Sequence, residues 1–199
     1  MATIRHTTSP NRVADDLLLD AALECVLAVG VRRTTLSDVA RTAGVSRMTL
    51  YRRFPDVRGM LSALLTREFG KLIVEVTEAG ANEPTARGQL IAAAVHTLRA
   101  LSDNSLMRTL IERDAEMLLP YLTERIGTSQ RMSEEFIRAK LADGVADGSI
   151  REGDPAVQAR MVYLLLQPYV ITSRPSTSDL ALDDLVAEVE RVLDLALRP

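Results

Sequence analysis

The sequence predicts an all-helical fold, and three observations support this. Apolar residues recur every three or four positions along most of the 199-residue chain, which is the spacing of a helix packed on one side. No segment sustains the alternation of apolar and polar residues that indicates a half-buried strand. Alanine, leucine, arginine and glutamate dominate, and aromatic residues make up only 4%. With 47% apolar residues, the chain can bury a core as one or two domains.

Composition and the length of apolar runs exclude other classes of protein. Every apolar run is shorter than the roughly 18 residues of a membrane span, and the first ten residues have no apolar core like that of a signal peptide, so we expect a cytoplasmic location. Cys25 is the only cysteine, which excludes an internal disulfide and a cysteine-rich zinc site. It is either a small core residue of the first helix or a thiol that senses oxidants. We expect no cofactor and no metal ion.

Charge divides the chain into two unequal parts. Residues 1–70 hold ten arginines and seven acidic residues, for a net charge of +3, and residues 71–199 hold fourteen basic and twenty acidic residues, for a net charge of −6. Phosphate binding depends on local positive charge, so the net charge of −3 for the whole chain does not argue against nucleic acid. The first part therefore suits a phosphate backbone, and the larger part has another role.

The first elements are a polar arm and a helix. Residues 1–11 are polar and include Pro10, and we expect a mobile, solvated arm, although Arg5 and Arg12 could touch DNA. Apolar residues at helical spacing then predict a first helix over residues 13–29. Gly30 ends this helix, because glycine adopts the left-handed conformation that commonly follows a helix.

Residues 35–54, with the sequence TLSDVARTAGVSRMTLYRRF, predict two short helices and a tight turn. Thr35 can cap the first helix, and Asp38 can complete a capping box three residues later. Gly44 suits the end of that helix, and Ser46 can cap the next one. Two helices separated by about three residues that include a glycine form a helix-turn-helix.

The second of these helices has one apolar side and several arginines around the rest of it. At 3.6 residues per turn, Leu50 and Phe54 share the side that faces the core. The opposite side carries Met48, Thr49 and Arg52, and the flanks carry Arg47, Tyr51 and Arg53. Arginine pairs bidentately with guanine, and apolar groups contact the thymine methyl, so the exposed side suits the base edges of DNA. The alternative is a solvated basic helix in an unrelated helical protein.

A combination of short motifs covers about a quarter of the chain. The motifs are Leu19-Asp20-Ala21-Ala22-Leu23, Gly30, Thr34-Thr35, Val39-Ala40, Ala43-Gly44-Val45-Ser46, Leu50-Tyr51 and Phe54-Pro55. In combination, residues 18–65 resemble the DNA-binding domain of the TetR family of bacterial transcriptional repressors. The resemblance implies that Thr35 and Tyr51 contact phosphates and that residues 47–53 enter the major groove. The family commonly has a lysine where this chain has Val57, so that phosphate contact is absent or has moved to Arg58.

The predicted DNA-binding residues are therefore Thr35, Ser46, Arg47, Met48, Thr49, Tyr51, Arg52, Arg53 and Arg58.

Further helices follow this region. Their predicted ranges are residues 56–79, 86–101 and 106–119, the last as one helix or two short ones, with a domain joint at residues 80–85. Pro120 is predicted to begin the next helix, and the glycine-rich residues 144–155 form a turn, because they lack the Gly-Lys-Ser/Thr ending of a phosphate loop. The cluster of Glu112, Arg113, Asp114 and Glu116 is expected to form a solvated face, or alternatively to bind a cationic ligand.

The last two helices carry more apolar surface than one core needs. Residues 161–166 (MVYLLL) are apolar on more than one face, and residues 182–196 carry an apolar stripe over two heptads. A stripe that wide needs a partner surface, and the resemblance implies a four-helix bundle formed with a second copy of the chain. The predicted dimer contacts are Met161, Leu164, Leu165, Leu182, Leu185, Val189, Val192 and Leu193. Alternatively, both helices simply cover the core of a monomer.

The second domain is also expected to bind a small molecule. Tyr163 and Gln167 are polar-tipped residues four positions apart on an otherwise apolar helix, so they share one side. The predicted pocket residues are His96, Met107, Tyr121, Arg160, Tyr163 and Gln167, although ordinary core or dimer-contact roles explain them equally well, and His96 suits a hydrogen-bonded structural role. Few charged residues fall on inward faces, so we expect a largely hydrophobic effector.

Together these observations predict an N-terminal three-helix helix-turn-helix DNA-binding domain (residues 1–55) and a larger helical effector-binding and dimerisation domain (residues 56–199), with about nine helices. The predicted function is a repressor released from a palindromic operator by the effector, and its partners are double-stranded DNA, the effector and a second copy. The alternative is a DNA-binding protein without small-molecule control, unregulated or thiol-sensing through Cys25. An enzyme is not indicated, because one cysteine and two distant histidines form no catalytic set.

Overall fold

The computed structural model describes residues 10–124 and 126–199, and these form ten helices and no strand. The helices are α1 (Pro10–Val29), α2 (Leu36–Thr42), α3 (Arg47–Arg53), α4 (Val57–Ala79), α5 (Ala86–Asp103), α6 (Ser105–Arg113), α7 (Ala115–Thr123), α8 (Thr128–Ala146), α9 (Pro155–Ser176) and α10 (Leu182–Leu197). The all-helical prediction is confirmed. Within the described ranges, no helix combines the length and the apolar content needed to cross a lipid bilayer.

The first helix begins earlier than the sequence pattern predicts. α1 starts at Pro10, three residues before the predicted start, because proline is well tolerated in the first helical turn. The predicted arm is therefore shorter, and its residues 1–9, with Arg5, lie outside the described residues. Arg12 belongs to α1, and its side chain also lies outside what the structure describes.

The helices α1, α2 and α3 and the first turns of α4 pack around one core, which Leu106, Met107 and Leu110 of α6 complete, and we call the unit formed by α1, α2, α3 and the start of α4 the head. Val26 of α1, Leu50 of α3 and Met60 of α4 are fully buried in it. Two glycines form its turns in the left-handed region that favours glycine: φ is 81° at Gly30 and 66° at Gly44. The predicted helix-turn-helix is confirmed.

α4 joins the head to the rest of the chain. The Asp56 side chain caps it by accepting the N–H of Gly59 at 2.7 Å. Arg67 then holds α4 against α1: its guanidinium donates to the Asp16 carbonyl at 3.0 Å and pairs with the Asp20 carboxylate at 2.8 Å. Because the Arg67 side chain is only 12% exposed, water screens these contacts less than it screens a surface ion pair.

α5 is the centre of a second core, and we call α5 and the helices around it the body. α5 packs against α4, α8, α9 and α10. Fully buried members of this core include Leu90 of α5, Leu141 of α8, Val162 of α9 and Leu193 of α10. The body therefore has its own apolar interior, and α4 contacts both cores.

One predicted boundary in the middle of the chain is wrong. Residues 105–123 form two short helices that meet at Asp114, and Pro120 lies inside α7 instead of starting a helix. Proline has no N–H to donate and its ring crowds the carbonyl four residues earlier, yet the helix continues past it, because the Glu124 N–H donates to the Pro120 carbonyl at 2.9 Å. α8 begins after Gly127, whose N–H donates to the Gln130 side chain at 2.6 Å. This side-chain contact, absent from the apolar pattern, sets the start of α8.

Candidate DNA interface and effector cavity

α3 has one buried side and one exposed side. Leu50 and Phe54 are buried in the head, as the helical spacing predicts. On the opposite side the exposed fraction reaches 78% for Met48 and 49% for Tyr51. The other exposed residues of α3 are Arg47, Thr49, Arg52 and Arg53. The structure therefore brings the predicted DNA-binding residues of this helix onto one surface, together with the exposed Ser46 at its start.

Hydroxyl caps hold α2 and α3 at their amino ends. Ser46 Oγ accepts the N–H of Thr49 at 3.1 Å, and Thr35 Oγ1 accepts the N–H of Asp38 at 3.1 Å. The Thr35 hydroxyl also donates to the Asp38 carboxylate at 2.6 Å, and that carboxylate pairs with Arg41 at 2.7 Å. These bonds satisfy amide donors that have no partner within the first helical turn. The caps fix where each helix begins, and hence which residues α3 exposes.

The arginines of this surface differ in their partners. Arg53 forms a bidentate pair with Asp15 of α1, with both N–O distances at 2.6 Å, and this hydrogen bonding lowers the pKa of Asp15. Arg47 and Arg52 are exposed and have no ion-pair partner among the described residues. A solvated guanidinium can bind guanine or phosphate directly. The guanidinium of Arg53, in contrast, is already bound to the Asp15 carboxylate. Arg58 is exposed at the second position of α4.

Cys25 lies in the head, away from the exposed side of α3. It is half-buried against the head core, and its Sγ lies 3.4 Å from Thr42 Oγ1. This placement agrees with the small core residue that the sequence predicts. Among the described residues, no group of three or more His, Cys, Asp and Glu side chains could hold a metal ion.

The body contains a partly open cavity of about 190 Å³, bounded mainly by α4, α5, α8 and α9, with Met107 of α6 and Leu118 of α7 also in its wall. Most of its wall is apolar. The main apolar contributors are Leu65, Phe69, Leu72, Ile73 and Val76 of α4, Leu90, Ala94 and Leu101 of α5, Phe136 and Ile137 of α8, and Val162, Leu166 and Val170 of α9. A mostly apolar cavity with a few polar groups is typical of a small-molecule site.

Three of the six predicted pocket residues line this cavity, namely Met107, Tyr163 and Gln167. Their contact with an effector stays a prediction. His96 lies instead in a shallow depression between α5 and α10, because it is one position away from the cavity-facing residue Thr97, and each residue turns a helix by about 100°. Arg160 pairs with Glu134, with one N–O distance of 3.1 Å, outside the cavity wall. The structure therefore does not bring His96 and Arg160 into the wall of this cavity, their contact with an effector stays a prediction, and the Tyr121 side chain lies outside the described residues.

The sequence pattern missed most of the cavity wall. The apolar stripe of α4 is visible in the sequence, but a stripe does not show whether the space opposite it is filled. The polar part of the wall was missed as well: Gln130 of α8 hydrogen-bonds the Tyr163 side chain of α9. These two residues are 33 positions apart, so only the packing of α8 on α9 brings them together.

The predicted dimer contacts fall into two groups. Val189 and Leu193 are buried in the chain's own core, where α10 packs on α5, so assigning them to an interface is wrong. In contrast, Leu164 and Val192 are exposed. The remaining predicted contacts, Met161, Leu165, Leu182 and Leu185, are half-buried. α9 and α10 therefore present a narrower apolar surface than predicted, and its pairing with a second copy stays a prediction.

Asp114 joins the body to the head, and the sequence pattern missed this role. Its carboxylate is buried and accepts the N–H groups of Val31 at 2.7 Å and Arg32 at 3.1 Å, in the turn after α1. The Arg32 guanidinium pairs with Glu116 at 2.6 Å. The prediction of a solvated face is therefore wrong for Asp114. The sequence pattern missed this role because the contact joins residues more than 80 positions apart. No pattern within a short stretch of sequence indicates it.

This geometry defines the class of the protein. A helix-turn-helix with an exposed basic helix, held on a helical body, is the architecture of a DNA-binding transcriptional regulator. Residues 18–64 match the family described as "Bacterial regulatory proteins, tetR family". An uncharacterised HTH-type transcriptional regulator of Mycobacterium tuberculosis, Rv2250c, is 38% identical over 150 residues, which cover 75% of this chain and 76% of that protein. The chain belongs to the TetR family of bacterial transcriptional regulators.

Two solved structures share the fold at lower sequence identity. One is the transcriptional regulator FadR from Bacillus subtilis in complex with stearoyl-CoA, with a TM-score of 0.66, 20% identity, and coverage of 92% of this chain and 99% of that one. The other is the TetR family repressor AlkX from Dietzia sp., implicated in the biodegradation of n-alkanes, with a TM-score of 0.64, 23% identity, and coverage of 91% and 93%. Both likenesses extend over the head and the body.

Proposed function

We propose that this regulator is a homodimeric repressor, and that a small, mainly hydrophobic effector releases it from a near-palindromic operator. One observation carries the proposal: α4 belongs to both parts of the molecule. Its first turns, with Met60 and Leu64, complete the head core, and its later turns, with Phe69 and Ile73, line the cavity. A ligand that moves α4 in the body therefore moves the head.

The energetic requirement for this switch is modest. A ligand shifts a conformational equilibrium only by the difference between its affinities for the two states. A tenfold fall in operator affinity corresponds to about 1.4 kcal/mol. Burial of apolar surface contributes about 25 cal/mol per Å², so the preferential burial of about 60 Å² in one state is enough.

The names of the two structural neighbours support an effector with a hydrocarbon chain. FadR was solved with stearoyl-CoA, and AlkX is implicated in n-alkane biodegradation. The apolar wall that α4 and α5 provide in this chain suits the same kind of molecule. We therefore extend the proposal to an effector whose main part is a hydrocarbon chain.

On DNA, we propose that α3 enters the major groove in each of two half-sites about 34 Å apart. Arg52, with Met48 and Thr49, contacts base edges. The proposed phosphate contacts come from Thr35, Ser46, Arg47, Tyr51, Arg53 and Arg58. The exposed apolar surface of α9 and α10, which includes Leu164 and Val192, pairs with its copy and sets the distance between the two α3 helices. A regulator that acts on bacterial DNA works in the cytoplasm.

A gel shift tests this proposal. The probe is the DNA upstream of the protein's own gene, with and without a panel of apolar compounds, and a scrambled duplex of equal length is the control. We expect a specific shift that at least one hydrophobic compound reverses. A specific shift that ignores every compound favours a regulator of the same fold without small-molecule control. The absence of a shift on any specific sequence contradicts the repressor.

A further inference from the structure

The wall of the cavity carries polar groups but no charge. Within the part of the chain that the structure describes, its polar residues are serines, threonines, glutamines and one tyrosine. The other wall residues are apolar, apart from one glycine. A charged group that enters such a site loses its hydration and gains no counter-ion, and this costs far more free energy than burying a neutral group that is hydrogen-bonded.

The amide and phenol groups of the wall lie on α8 and α9, which also contribute apolar residues, whereas the polar groups of α4 and α5 are hydroxyls. α4 and α5 supply a wall built mainly of leucine, alanine, phenylalanine, isoleucine and valine, and the hydroxyls of Thr66 and Thr97 on these helices already donate to the carbonyls of Ser62 and Ala93. The amide and phenol groups come from α8 and α9. The cavity therefore has an apolar wall on every side, and its amide and phenol hydrogen-bonding groups come only from the α8 and α9 side.

A hydrogen-bond chain orients the polar side. The Gln130 side-chain oxygen accepts the N–H of Gly127 at 2.6 Å, and the Gln130 side chain also lies beside the Tyr163 phenol in the cavity wall. Burial raises the pKa of Tyr163, and the hydrogen bond from Gln130 lowers it by less, so Tyr163 stays protonated at neutral pH. A protonated phenol can donate its O–H to a ligand in the cavity and can also accept through its oxygen.

Gln167 lies one helical turn beyond Tyr163 and also lines the cavity. Its amide makes no hydrogen bond to any other described residue, and it can both donate to a ligand and accept from one. The nearby arginine of α9, Arg160, is engaged in a bidentate pair with Glu134. Arg160 is therefore paired and lies outside the cavity wall, although both charges of the pair act on the pKa of Tyr163, which Glu134 raises and Arg160 lowers.

We propose that the effector is an uncharged amphiphile: a hydrocarbon body packs against α4 and α5, and one neutral polar group, a hydroxyl or a carboxamide, hydrogen-bonds Tyr163 and Gln167. This inference rests on the proposed function, because it names the class of molecule that the regulatory cavity accepts. It predicts that the cavity binds alcohols and amides in preference to carboxylates of the same chain length. The reason is that the described wall holds no counter-ion for a carboxylate.

Calorimetric titration of the full chain without DNA tests the ligand class. The probes are 1-decanol, decanamide and sodium decanoate at pH 8, which share a ten-carbon chain and differ in the polar group. We expect decanol and decanamide to bind at least about tenfold more tightly than decanoate. Equal or tighter binding of decanoate overturns the proposal, and so does the failure of both neutral compounds to bind.

Variants of Gln167 sharpen this test. Gln167→Leu removes the free amide at similar volume and should weaken decanol binding by about three- to tenfold. The matched control is Gln89→Leu, because Gln89 lies outside the cavity wall and bonds Lys140 at 2.8 Å. Gln167→Lys supplies a cation and should reverse the preference in favour of decanoate. A Gln167→Leu effect no larger than that of Gln89→Leu contradicts the assignment, and so does an unchanged preference in Gln167→Lys.

A gel shift with the same compounds separates this inference from the proposed function. If decanol binds selectively but leaves the operator complex intact, the repressor mechanism fails and the ligand class stands. If decanoate binds as tightly as decanol and both release the operator, the mechanism stands and the ligand class is overturned.

Discussion

The exposed side of α3 and the cavity of the body are built in opposite ways. The α3 surface comes from consecutive residues of one seven-residue helix, is convex and carries arginines. The cavity is concave and uncharged in its described wall, and residues 62 to 171 contribute to it from several helices. The first surface suits a polyanion that approaches from solvent, whereas the second suits a small molecule that leaves solvent. The comparison shows that one chain can hold a convex basic surface and a concave apolar one in separate places, with α4 in contact with both.

Truncating a core side chain of α3 should lower stability far more than truncating a surface side chain of the same helix. This difference in the free energy of unfolding is the largest effect that we expect. Leu50→Ala removes a fully buried side chain and should lower the free energy of unfolding by about 2–5 kcal/mol. Met48→Ala, two residues earlier and 78% exposed, should leave stability within about 0.5 kcal/mol. Urea unfolding measures both variants. Similar losses would show that α3 is packed in another orientation.

The contact between body and head should depend on the carboxylate of Asp114. Asp114→Asn keeps one acceptor oxygen for the N–H groups of Val31 and Arg32, but it turns an NH₂ group toward one of them. One N–H then has no acceptor, so we expect the free energy of unfolding to fall by about 2 kcal/mol. The control is Asp103→Asn at the exposed end of α5, which should have almost no effect. Urea unfolding and effector-dependent gel shifts report on the two variants. An Asp114→Asn variant as stable as Asp103→Asn would show that this joint contributes nothing.

Base contacts and phosphate contacts on α3 should be distinguishable. Arg52→Ala should relax base preference at a cost of about 1–3 kcal/mol on the operator, and Tyr51→Phe should weaken binding to every sequence to the same degree. Fluorescence anisotropy with the operator and a panel of single-base variants measures both effects. Equal profiles for the two variants would mean that Arg52 does not contact a base.

The pair between Asp15 and Arg53 should give a small, pH-dependent effect. Hydrogen bonding from Arg53 lowers the pKa of Asp15, so the pair stabilises the head above the unfolded-state pKa of about 3.9. This stabilisation is lost as the pH falls through the lower folded-state pKa. Because the pair is partly exposed, Asp15→Asn should cost only about 0.5–1 kcal/mol at pH 7.

Thermal unfolding from pH 7 to pH 2 checks this prediction. The difference in stability between the wild-type chain and Asp15→Asn should shrink as the pH falls below about 4. A difference that stays constant over this range would assign the effect of the substitution to packing, not to charge.

Sequence patterns were sufficient for the head because its contacts are local. The capping bonds of Thr35 and Ser46 reach three residues ahead, and the left-handed glycines stand at the predicted helix ends. The buried and exposed sides of α3 follow from helical spacing alone. Each of these features lies within a short stretch of sequence, and each was predicted correctly.

The body required the tertiary structure for a physical reason. An apolar stripe shows that a helix face avoids water, but not whether it meets a cavity, its own core or a second copy. Val189 and Leu193 therefore looked like dimer contacts and proved to be core residues, and α4 looked like a packed helix but lines a cavity.

The sequence by itself thus determined the all-helical class, the family and the exposed side of α3. Only the packing of distant segments decided that Asp114 holds the turn after α1, that Arg160 pairs with Glu134, and that Tyr163 and Gln167 face a cavity. Helix formation and capping depend on neighbours within four residues. In contrast, a cavity or a buried carboxylate depends on where several helices meet.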